Sequence, residues 1–296
     1  MVNVRSLARL VGAGAWFGAA VLNAQAAPQR ASEDSLAPLK PLRRLVAVER
    51  PPMPFGNFFR GAPGTNSGTP MAFGASWGDV FVGAGYQNAT RAVKLANGSW
   101  SSSGGGNNDD GSVSVGFGLG DPKDYLGLEV VATSLSTFRS GFGNRTAFSF
   151  QAHRLLDAST AIAVGVENAF IAGGGQTDGM PSTFVVATRQ FNLSGSDFNL
   201  FQSVTVNGGV GNGRFRTLND VNADNKTWNV FGSVGVTVTD WFAMSTDWTG
   251  QDLNVGVSFV PFKQFPVSIS PTLADVTQTA NKSARFVLGV GLGMHF

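Results

Sequence analysis

Eight polar side chains are placed where they could act together: Glu129, Arg145, Gln151, His153, Glu167, Arg189, Asp247 and Arg285. Each is assigned to the face of its segment that carries glycine, serine and threonine, opposite a face that is apolar at every second position. Three acids and three arginines directed into one enclosed space can form a polar constriction that sorts solutes by charge. The same groups can instead pair across the space and stiffen its wall. Counting residues through the intervening turns sets Arg145 diagonal to Glu167, and Glu129 close to Gln151.

Other patterns that could carry chemistry are weaker. Gly74-Ala75-Ser76-Trp77-Gly78 has the spacing of a nucleophile elbow, but such an elbow needs a strand before it and a helix after it, and no such alternation surrounds it. A histidine and a serine two residues apart on one strand face would suit a membrane hydrolase. His153 has Leu155 at that spacing and His295 has nothing, so no catalytic residue is assigned. Asp220-Val221-Asn222-Ala223-Asp224-Asn225 imitates the opening of a calcium loop, with Asn225 where the turn glycine belongs and Phe231 where the closing acid belongs. Asn107, Asn108, Asp109 and Asp110 follow the same logic more loosely, and a solvated loop accounts for both runs. The glycines at 116, 118 and 120 and at 289, 291 and 293 lack dinucleotide spacing and read as strand glycines. No metal or cofactor is expected, and nothing suggests a nucleic-acid surface.

The elements that must position these groups are short strands. From about residue 80, segments of alternating apolarity are separated by Gly, Asn, Asp, Ser and Pro clusters. They lie near 80–91, 112–120, 125–136, 144–154, 160–171, 182–192, 199–211, 226–238, 241–248, 253–260, 265–273 and 284–296. Short connections alternate with longer ones, apart from 249–252. Pro122, Pro181, Pro261 and Pro266 fall at turns, and Pro271 near a strand end. An apolar–Gly–apolar triplet recurs at 115–117, 164–166, 234–236, 255–257 and 288–290, with each glycine inward.

The last segment is the most regular. Phe286, Leu288, Val290, Leu292, Met294 and Phe296 share one face, while Arg285, Gly289, Gly291, Gly293 and His295 share the other. A terminal strand ending on Phe resembles the C-terminal assembly signature of bacterial outer-membrane β-barrel proteins. The expected fold is therefore all-β, an antiparallel up-and-down transmembrane barrel of twelve strands. Residues 72–78 could add to or extend the first strand, which leaves ten and fourteen as neighbouring counts. The resemblance also implies a wall set in outer-membrane lipid and lipopolysaccharide, with the last strand read by the barrel-assembly machinery. Aromatic residues fit interfacial girdles: Tyr125, Phe191, Phe198, Phe201, Trp241, Phe242, Phe262, Phe265 and Phe296 at the short-turn end, and Phe170, Trp228 and Trp248 at the other.

The beginning of the chain fits export. Arg5 and Arg9 precede an apolar run at 10–22 and then Ala24-Gln25-Ala26, the order of a signal peptide spanning residues 1–26. About 13 apolar residues are too few to cross a bilayer as a helix, which needs roughly 20. Cleavage there would leave 19 basic and 19 acidic residues, so the basic balance of the whole chain is no sign of a nucleic-acid partner. Residues 27–70 hold eight of the thirteen prolines and show no periodicity. They read as a largely disordered periplasmic arm preceding a barrel at 71–296, with residues 53–60 able to fold back as a plug and the arm able to dock on a periplasmic partner. The zero cysteine count excludes a disulfide scaffold.

Function follows from that frame as an expectation. A narrow lumen lined by Gly, Ser, Thr and balanced charges suits a small-solute channel of weak ion selectivity. A non-conducting barrel plugged by its own arm, or docked on a partner, is the competing expectation.

Overall fold

The computed structural model of the chain describes residues 62–89, 109–138, 141–173, 180–193, 200–262, 265–279 and 283–296. The signal peptide expected at 1–26, the arm from 27 to 61 with its 53–60 segment, and Phe198 lie outside the described residues.

Twelve antiparallel strands close into one barrel, each paired with its sequence neighbours. They are β1 (Asp79–Gln87), β2 (Asp110–Gly120), β3 (Gly127–Ser134), β4 (Arg145–Asp157), β5 (Thr160–Gly173) and β6 (Ser182–Asn192). The second half comprises β7 (Ser203–Gly211), β8 (Asn229–Thr239), β9 (Phe242–Trp248), β10 (Leu253–Phe259), β11 (Val267–Ala274) and β12 (Arg285–His295). The seam joins first to last: Asp79 pairs with His295, Gly83 with Gly291 and Gln87 with Val287. Closure leaves no strand edge, so every ladder donor and acceptor can be met inside the sheet. Among the described residues, no helix is long and apolar enough to cross a membrane.

Alternation sorts the side chains as a membrane wall requires. Val115, Phe117, Val164, Val185, Val234 and Val290 remain well exposed on the outside. So continuous an apolar belt would be costly in water and is stable only against hydrocarbon. At the short-turn end Tyr125, Phe191, Phe201, Trp241, Phe262, Phe265 and Phe296 are all exposed, as are Phe170, Trp228 and Trp248 toward the other end.

Two local irregularities depart from the pattern expected of the sequence. Between Phe148↔Phe170 and Phe150↔Val166, β5 carries two extra residues, and Asn168 takes a left-handed φ of 50°. This bulge stacks Phe170 on Phe148 outside the wall at 4.7 Å. Pro271 sits inside β11 rather than near its end, where the β10–β11 ladder is interrupted between Gly256↔Thr272 and Phe259↔Ile269. Proline has no N–H to give there. The Ser270 hydroxyl bridges the gap instead, donating to Ser258 Oγ at 2.8 Å.

The inside is packed rather than open. Phe184, Phe215 and Phe231 form a buried cluster with Ala72, Ala161, Ala163 and Val186. The Phe215 and Phe231 rings stack at 4.4 Å, and Phe184 meets both edge-on. The rings rest on inward glycines: a Cβ on Gly165 would lie 2.4 Å from Phe184, and one on Gly209 would lie 2.4 Å from Phe231. These inward glycines therefore seat aromatic rings.

Candidate functional site

The site is the lumen, and part of the chain itself occupies it. Residues 62–78, which precede β1, run up one wall from the short-turn end, turn near the middle, and descend the opposite wall to the start of β1. Residues 62–70 were expected to be disordered, but Thr65, Thr69 and Pro70 are buried within the barrel. The Pro- and Gly-rich composition that suggests disorder also lets an extended backbone lie close against a wall.

On the rising limb, Gly64 N–H donates to Ser258 Oγ at 2.8 Å. The Thr65 backbone lies so near Gly235 of β8 that a Cβ there would sit 2.1 Å from the Thr65 carbonyl oxygen. Asn66 closes the tip by donating its side-chain amide to the Thr69 carbonyl. On the falling limb, Pro70 and Met71 present carbonyls to Asn207 (2.7 Å) and Gln151 (2.9 Å), while Ala72 N–H donates to Thr188 at 2.8 Å. At Ala75 the backbone crosses Gly118 of β2, where a Cβ would fall 2.3 Å from the Ala75 carbonyl carbon.

Two wall carboxylates hold this finger. Asp247 of β9 accepts from the tip: from Ser67 N–H at 2.9 Å, from Gly68 N–H at 3.4 Å and from the Thr69 hydroxyl at 3.1 Å. Glu129 of β3 accepts from Ala75 N–H at 2.8 Å. Each carboxyl group accepts backbone N–H groups of the finger directly, so these two are the principal latches.

A loop from the long-loop end meets the finger tip. It carries a 3₁₀ turn at Gly213–Phe215 and the short helix α1 (Leu218–Asn222). Arg214 turns inward, forms a bidentate pair with Glu167 and donates to the Gly68 carbonyl at 2.9 Å. Its guanidinium also lies over Phe215, 4.3 Å from the ring centre. Removing one partner of a buried pair strands the other charge, at a cost of about 3 kcal/mol. Glu167→Gln should therefore lower the urea midpoint of the refolded barrel clearly, whereas Glu167→Met with Arg214→Met should recover most of that loss. A small cavity of about 20 Å³ remains beside Pro70 between Glu129 and Glu167. That is room for a water molecule but not for a solute.

Six of the eight polar residues from the sequence are buried: Glu129, Gln151, His153, Glu167, Asp247 and Arg285. Glu129 and Gln151 are directly opposite in register. Arg145 stands on the inward face near the outer end of β4, but it pairs with Gly173, and the Glu167 carboxylate is taken by Arg214 rather than by Arg145. Arg189 is a correction. It is exposed on the outer face of β6, because Phe184, Val186 and Thr188 point inward, and its guanidinium reaches along the wall to lie 5.3 Å from the Phe191 ring centre. Near the strand end a long cationic side chain can reach the headgroup layer.

The remaining motifs prove structural. Ser76 and Asp79 bracket a turn closed by Asp79 N–H to Ser76 O at 2.9 Å, with Gly78 at φ 90° in the position that demands glycine. The Ser76 hydroxyl donates to Asp79, and Asp79 meets His295 Nδ1 at 2.8 Å across the seam. The serine oxygen meets the carboxyl of Asp79, and the imidazole lies beyond that carboxyl rather than on the serine, the reverse of a triad's order, so the group fastens the seam. Asp220, the first acid of the calcium-like run, caps α1 with Thr217, whose hydroxyl holds its carboxyl below the usual carboxylate range. Asn225 and Asn229 donate to the same carboxyl group at 3.4 Å each.

Sequence reasoning missed the inward aromatics, Arg214 and the finger. Phe81 and Phe231 lie at inward parity on strands whose outer faces alternate cleanly, and that parity was the available signal.

No protein-family model and no curated protein matches this chain. Among solved structures it is similar to an outer membrane channel from Pseudomonas putida F1, at 12% identity over 77% of this chain and 97% of that one, with a TM-score of 0.39. It is also similar to the outer membrane protein Omp33 of Acinetobacter baumannii, at 9% identity over 74% and 97%, with a TM-score of 0.34. Likenesses this distant leave the fold to rest on the strand register itself.

Proposed function

We propose that this chain is an outer-membrane channel of the porin-like kind, held shut by its own residues 62–78. The observation that carries the reading is how the finger is retained. Its backbone is held by hydrogen bonds to polar wall groups, among them Ser258, Asp247, Asn207, Gln151, Thr188 and Glu129, while Ala72 and Ala75 join the apolar clusters of the wall. Water can replace each of these bonds when the finger leaves, so withdrawal carries a modest penalty and uncovers a polar path. In the membrane, the short-turn end with both β1 and β12 termini faces the periplasm, and the finger enters from that side.

The apolar cluster around Phe215 supports a second reading, a barrel that never conducts, because those rings stay in place when the finger goes. One experiment separates the two. The chain lacking residues 62–76 is refolded into liposomes, its barrel verified by heat-modifiable electrophoretic mobility, and swelling is followed in a small neutral sugar. Uptake through the shortened chain, with little through the full chain, is the expected result. A folded but impermeable shortened barrel contradicts the channel reading.

A further inference from the structure

We infer that the opened lumen passes cations in preference to anions, and that Asp247 and Glu129, the carboxylates that latch the finger, set that preference. The inference rests on the channel reading above and concerns the chemistry of what passes. It also replaces the expectation of weak selectivity from balanced charges.

The charges inside the barrel are not all balanced in the same way. Glu167 is paired with Arg214 and Arg285 with Asp252 at 3.3 Å, while Asp79 meets His295 Nδ1 at 2.8 Å and also accepts from Ser76 of the finger. The first two pairs belong to the wall and its loops and persist whatever the finger does, and Asp79 keeps its His295 contact across the seam at the short-turn end. Arg145 and Asp110, one of each sign, stand near the outer ends of β4 and β2. Asp247 and Glu129 differ. Among the described residues neither forms an ion pair. The donors they receive from Ser67, Gly68, Thr69 and Ala75 all belong to the finger.

The finger has no charged side chain between residues 62 and 78. Its departure therefore removes the donors and leaves both carboxylates facing water without a compensating cation. Their placement suits a path. In the closed order of twelve strands β3 and β9 are six apart, so the two carboxylates stand on opposite walls. Glu129 lies toward the short-turn end of β3 and Asp247 toward the long-loop end of β9, so they are staggered in height. Two negative charges in a narrow passage with low-dielectric walls raise the local concentration of cations and exclude anions.

The test is a reversal potential in a planar bilayer under a potassium chloride gradient. It uses the chain lacking 62–76 and, as a second way to free the lumen, the full chain carrying Gly235→Leu. Potassium should be favoured over chloride on the order of fivefold in both. Asp247→Asn with Glu129→Gln, built into each, should bring the ratio close to one. A ratio at or below one before those substitutions, or one they do not change, overturns the inference and leaves the channel reading standing. No current from either folded variant overturns the channel reading and this inference with it.

Discussion

Gly235→Leu should open the barrel without any change to the finger. A Cβ at this position would lie 2.1 Å from the Thr65 carbonyl oxygen and 2.5 Å from Thr65 Cβ, and the rest of a leucine needs still more room. The contact is largely with backbone, which cannot rotate aside, and the wall strand is fixed by ladders on both flanks. Overpacking of this kind costs about 1–3 kcal/mol when the surroundings can adjust and more when they cannot. The cheapest relief is for the rising limb to leave the lumen. The expected readouts are conductance in planar bilayers and protease cleavage within residues 62–78, with heat-modifiable mobility retained. Gly208→Leu is the control: it lies on the outer face of β7, where a Cβ meets nothing within 4 Å, and it should stay closed. Equal conductance from the two variants would contradict the account.

Asp247→Ala should have the next largest effect. The carboxylate gathers two backbone N–H groups and one hydroxyl at the finger tip, and alanine leaves all three without that acceptor. A buried donor left without its acceptor costs about 1–3 kcal/mol, and water entering the vacated space recovers part of this. A net loss of about 3 kcal/mol raises the withdrawn population by roughly a hundredfold, at about 1.4 kcal/mol per tenfold. Open events in single-channel records should become frequent in proportion. Asp247→Asn keeps one carbonyl acceptor and should fall between wild type and alanine. An alanine variant as quiet as the parent would show that Asp247 is not a latch.

The barrel was legible in the sequence because its outer face obeys one rule. Hydrocarbon admits only apolar side chains, so Phe286 to Phe296 alternate strictly, and the twelve segments reappear as β1 to β12 with ends displaced by a few residues. The inner face obeys no such rule. A lumen filled by rings and backbone accepts Phe184 and Val186 as readily as Thr188, so both faces of β6 are apolar and period two does not fix its parity. The alternation expected of β6 put Arg189 inward, although at a strand end a charge can also reach water from the outer face. Pairing across β4 and β5 failed for a different reason: the register shifts near the turn between Leu155 and Asp157 and again where β5 carries two extra residues between Val166 and Phe170, and residue counting cannot see a bulge. The finger was the least legible. Its contacts to the wall are largely through backbone groups and inward glycines, so residues 62–70 carry no periodic pattern, and their proline and glycine content resembles that of a chain with no partner.

The central claim, that residues 62–78 close a lumen otherwise able to conduct, is tested most directly by single-channel current from the purified full chain and from the chain lacking 62–76, in the same bilayer and salt. The account predicts a quiet baseline with rare events from the full chain and regular conductance steps from the shortened one. Matching steps from both, or silence from a shortened chain whose barrel is verified as folded, would contradict it.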